Sequence, residues 1–152
     1  MIKETIAAID LHFNRAKMTY AEIKLFEDNL NNATFQDAEK IKTIDSFIFR
    51  YIKIQDLMGD KLFKEFLTLV GDYKSTMTML DILDKLEKLE IIDDAASWMI
   101  YRNLRNTLTH EYPDNEDEII EGIKTALNVF LELQRIYQKI VAYLQSKSLC
   151  QE

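Results

Sequence analysis

Two arginines, an asparagine, a threonine, a histidine and a tyrosine (Arg102, Arg105, Asn106, Thr109, His110 and Tyr112) fall within residues 102–112 of this chain. The guanidinium is a permanent cation whose fork of donors matches the oxygens of a phosphate, and the imidazole exchanges protons near neutral pH. In combination these types imply phosphodiester chemistry that needs no metal. A neutral His110 would take the proton from an RNA 2'-hydroxyl, whose oxygen then attacks the adjacent phosphorus. Arg105 would stabilise the charge gathering on the phosphoryl oxygens. Asn106 and Thr109 add donors that support the imidazole or bind phosphate, and Arg102 adds a second cation as an auxiliary phosphate contact.

Positioning these groups is the task of a helix. At 100° per residue Arg102, Asn106 and His110 lie within about 80° of one another, whereas Arg105 falls about 140° from His110. The turn before Pro113, or a second copy meeting the first across a two-fold axis, would have to bring the two together. The ordinary role of such groups stands beside this one. A histidine in the last turn is a cation favoured by the helix dipole, and arginines one turn earlier pair with acids or water.

The elements around the motif read as helical throughout. Three glycines (Gly59, Gly71, Gly122) and a single proline leave too little turn chemistry for a many-stranded sheet, and 47% hydrophobic residues suffice for a core. Ile2, Ile6, Ile9, Phe13, Ala16, Tyr20, Ile23 and Leu30 form one stripe, which predicts a long first helix ending near Asn31 and Asn32. A second helix is expected after Thr34 through Ile41, Ile44, Ile48 and Ile52. Gly59 leaves open whether residues 34–71 form one helix or two. Leu80, Leu83, Leu86 and Leu89 mark a short helix, and aspartates at the following turn cap the motif helix from about Asp94. Asn115 and Glu118 read as a capping box opening a last helix through Phe130 and Tyr137 to Leu144. The expectation is one all-α domain over residues 1–152, an antiparallel up-and-down bundle of five or six helices.

A net charge of −7 repels nucleic acid at long range, so any RNA contact must be local, and no DNA partner is expected. The single cysteine, Cys150, excludes an intramolecular disulfide and a four-thiolate zinc site. With neither a leader nor a membrane span expected, the cytoplasm is the expected location. Glu111, Asp114, Glu116, Asp117, Glu118 and Glu121 are read as solvation and dipole complementarity rather than a metal site, and His12 as structural.

Arg105-Asn106, three residues, His110, one residue and Tyr112 resembles the signature of the HEPN superfamily, in particular the HepT-like toxins paired with MNT-type minimal nucleotidyltransferases. Ile91-Ile92-Asp93-Asp94 before Trp98, the run Trp98-Met99-Ile100-Tyr101 and the stretch Phe49-Arg50-Tyr51 resemble that family's surroundings. The resemblance implies a HEPN-like homodimer joined through its motif helices, with a metal-independent, cofactor-free endoribonuclease cleft on the two-fold axis. It makes Arg105 and His110 catalytic, and Tyr112 the residue to which a cognate nucleotidyltransferase antitoxin attaches AMP. A noncatalytic subunit that presents nucleotide or substrate to a separate nucleotidyltransferase is the alternative.

Overall fold

The computed structural model describes residues 1–109 and 116–147. Among the described residues there is no strand, and the chain is all-helical. The elements are α1 (Ile2–Lys24), α2 (Ala38–Leu57), α3 (Phe63–Leu69), α4 (Met79–Lys88), α5 (Ala95–Thr109) and α6 (Glu116–Ser146). A π turn at Met58–Leu62 joins α2 to α3, so that the two make one continuous rod. This settles the ambiguity at Gly59: the glycine interrupts the hydrogen-bond pattern without ending the helix.

The first helix stops earlier than its apolar stripe suggests. It closes at Lys24, leaves Leu25 87% exposed, and the chain continues through short 3₁₀ turns at Glu27–Asn29 and Asn32–Gln36. Those turns fold Leu30 back into the core, so the apolar spacing continues although the helix does not. Asn31 caps the second turn and Asp37 caps α2, its carboxylate accepting from the amides of Glu39 and Lys40. Gly71, at φ +82, ends α3 as expected, with the amides of Gly71 and Asp72 donating to the carbonyls of Thr68 and Leu67. In α4 the expected stripe is partly wrong. Leu83 and Leu86 are buried, but Leu80 is 56% exposed and Ile82 takes the inward position instead.

Cross-helix contacts fix the topology. Thr5 meets Glu65, His12 meets Arg50 and Thr43 meets Glu22, so α1 runs antiparallel to the α2–α3 rod. The Tyr137 hydroxyl donates to the Asp10 carboxylate at 2.6 Å, and Phe130 stacks on Tyr20, so α6 is antiparallel to α1. Leu104 and Leu108 close on Gly122 while Asp93 pairs with Arg135, which sets α5 antiparallel to α6. Phe130 lies at the centre, with ring centroids 5.3 to 5.6 Å from Phe13, Tyr20 and Phe47. Burying each such ring contributes about 1.5–3 kcal/mol, enough to hold three helices against one another. The buried side chains form one contiguous core.

Candidate functional site

The motif helix α5 is placed by its N-terminus and its apolar side. Asp94 accepts from the Ser97 amide at 2.7 Å, the Glu87 carboxylate accepts from the Ala95 amide, and Trp98 is buried with its ring 4.6 Å from Phe63. A Cβ on Gly59 would sit 3.4 Å from Trp98 Cζ2, so the absence of a side chain in the π turn leaves the indole close to the α2 backbone. Single π turns inside α-helices recur at functional sites because they re-aim the side chains around them.

Above Trp98 the two helices enclose a cleft of about 210 Å³. Its wall on the rod comprises Gln55, Asp56, Gly59 and Asp60, and its wall on α5 comprises Trp98, Arg102, Arg105 and Asn106; Met79 also lines it. Arg105 donates through Nε to Asp56 Oδ1 at 2.8 Å and through Nη2 to Oδ2 at 2.7 Å. This two-point pairing orients the guanidinium as a planar fork. It also raises the Arg105 pKa, chiefly through the hydrogen bonds donated to Asp56, against the opposing effect of burial. The remaining Nη1 reaches Asn106 Oδ1 at 3.4 Å. Gln55, 3% exposed, leaves its Oε1 without a hydrogen-bond partner among the described residues.

Three of the residues singled out by sequence therefore share one cleft: Arg102, Arg105 and Asn106. Thr109 does not join them, because its hydroxyl donates to the Asn106 carbonyl one turn back at 2.7 Å. His110 and Tyr112, the expected proton-transfer and modification residues, lie outside the described residues, as do Glu111 and Asp114. The exposed Arg102 is the cation in this cleft that no described carboxylate holds, whereas the fork of Arg105 is already engaged. His12 lies away from this cleft, its Nδ1 accepting from Arg50 at 3.0 Å.

Sequence reading missed Asp56 and Asp60. Asp56 lies in the last turn of α2 and Asp60 in the π turn that follows, and only the fold aligns that part of the rod with Arg105. A larger groove of about 900 Å³, lined by Leu89, Ile91, Ile92 and Lys139 among others, contains none of the described candidate site residues Arg102, Arg105, Asn106 and Thr109. Among the described residues no three His, Cys, Asp or Glu side chains gather as metal ligands, and no helix is long and apolar enough to cross a membrane.

No protein-family model matches the chain, and neither a curated protein nor a solved structure matches it.

Proposed function

We propose that the protein is a metal-independent endoribonuclease of the HepT-like, HEPN kind, acting as a homodimer and restrained by a cognate MNT-type nucleotidyltransferase. The observation that carries this reading is Arg105, oriented in two hydrogen bonds by Asp56 beside the exposed Arg102 and Asn106 at the C-terminal end of α5. A phosphate entering the cleft would meet Arg102 first. It would then compete with Asp56 for the Arg105 fork, so that charge developing in the transition state draws on a guanidinium already in place. His110, following directly on α5, would act as the base, and Arg105 and His110 of two copies would share one scissile linkage. AMP on Tyr112 would bring a phosphate to the exit of α5 and repel RNA.

The engagement of Arg105 by Asp56 also favours a second reading, in which the cleft binds a nucleotide without cutting RNA and presents it to the nucleotidyltransferase. RNA cleavage in the presence of a chelator distinguishes the two. The endoribonuclease reading expects 2',3'-cyclic phosphate ends from the wild type. It also expects a loss of at least about 100-fold in His110→Ala, with an unchanged melting temperature, as befits removal of a general base. Undiminished cleavage by His110→Ala, or cleavage that stops when magnesium is chelated, would remove this mechanism. ATP-dependent addition of AMP to Tyr112 by the neighbouring nucleotidyltransferase, with loss of cleavage, tests the regulatory step.

A further inference from the structure

In a chain with a net charge of −7, a basic face stands out where α1 and α2 cross. Arg15 and Lys53 are exposed, and Arg50 is half-buried between them. Arg50 donates to His12 Nδ1 at 3.0 Å, which requires the imidazole to be neutral at that nitrogen, since a guanidinium only donates. Phe49 is 49% exposed and carries two cations, the Arg50 guanidinium 5.0 Å and the Lys53 ammonium 5.5 Å from its ring centroid. Among the described residues, the contacts of Arg50 and Lys53 are thus with an imidazole and a phenyl ring rather than with carboxylates. Burial lowers the pKa of His12, and the positive charges of Arg50, Lys53 and Arg15 lower it further.

Helical spacing links this face to the cleft. Phe49, Lys53 and Asp56 stand at i, i+4 and i+7, one strip of α2, with Lys53 a single turn from the carboxylate that holds Arg105. Asp45, one turn before Phe49, bounds the strip at the other end. Cations around an exposed ring are the combination with which proteins track a single-stranded nucleic acid, phosphates on the cations and a base on the ring. We infer that the face formed by Arg15, Phe49, Arg50 and Lys53 is a single-stranded RNA track leading out of the Arg102–Arg105 cleft. A base stacking on Phe49 displaces one of the two cations from the ring and releases it to a phosphate. This assignment rests on the reading of the cleft as an RNA site, and it explains how so acidic a chain engages a polyanion through one local surface.

The test is fluorescence anisotropy with a labelled single-stranded RNA oligonucleotide in chelator, measured over a range of salt, with cleavage assayed in parallel. Neutralising three phosphate contacts in Arg15→Gln/Arg50→Gln/Lys53→Gln should lower the slope of log Kd against log salt by about 2, at roughly 0.7 per contact on single strands. Phe49→Ala should weaken binding while leaving the slope unchanged. Lys53→Gln alone, at an exposed position, should lower the slope by about 0.7 and guards against misfolding of the triple variant. Unchanged slopes in both the triple variant and Lys53→Gln would overturn the track, whether or not the protein cleaves RNA. Absence of cleavage with these slope changes intact would instead remove the nuclease and leave the track standing. Equal binding of the wild type to anionic phospholipid vesicles, lost through the same substitutions, would reassign the face to membranes.

Discussion

At the scale of single residues, His12 shows how an unremarkable histidine acquires a defined protonation state. Burial first, then the charges of Arg50, Lys53 and Arg15, hold its pKa below the ordinary 6.5. Well above pH 6.5 the imidazole is neutral in folded and unfolded chains and contributes nothing to pH dependence. As pH falls below 6.5 the unfolded chain takes up a proton that the folded chain resists, so stability declines until the folded-state pKa is passed. The melting temperature of His12→Gln should accordingly fall less than that of the wild type between about pH 7 and about pH 5, the range in which histidine changes charge. Parallel curves would show that His12 carries no such penalty. The sequence reading of His12 as structural came from its apolar neighbours, and its partner was invisible there. Arg50 lies 38 positions away, and only the α1–α2 crossing brings it to the imidazole. Asp56 was hidden from Arg105 for the same reason, across 49 positions.

At the scale of elements, ends proved harder to read than stripes. Gly71 announced the close of α3 because glycine accepts a positive φ. Glu90 adopts φ 60 at the corresponding place after α4, where the amides of Glu90 and Ile91 donate to Glu87 and Leu86, and its type gives no hint of this. Left-handed backbone costs a side-chain-bearing residue about 1–2 kcal/mol, partly offset in glycine by the greater freedom of the unfolded chain. Glu90→Gly should therefore stabilise the protein by about 1 kcal/mol, read as a higher denaturation midpoint with an unchanged slope. A lower midpoint would mean that the Glu90 side chain offsets its backbone strain. The end of α1 at Lys24 was illegible for a related reason: the 3₁₀ turns return Leu30 to the core, and periodicity reports burial rather than hydrogen bonding.

At the scale of the molecule, the all-helical class and the antiparallel order of α1, the α2–α3 rod and α6 were legible because they follow from scarce breakers and long apolar stripes. The cleft was legible only on its α5 side, since its other wall depends on which faces of two helices meet. The aromatic centre ties the bundle into a single unit. Phe130→Ala should cost about 3–5 kcal/mol, the range for deleting a buried ring. Since Phe130 touches rings on both α1 and α2, far- and near-ultraviolet circular dichroism should shift together along a denaturant series. Separate transitions would mean that the helices do not share one cooperative core.

The π turn at Met58–Leu62 divides the labour along the rod. Hydrogen bonds that span five residues in place of four accommodate one more residue than the length of the rod requires. That surplus residue falls where Gly59 meets Trp98 and where Asp56 and Asp60 face the arginines. Phe63 and Phe66, just beyond, still pack fully inside. Thus the residues that set the span of the scaffold and those that shape its cavity are distinct, and the cavity wall can vary while the scaffold keeps its dimensions.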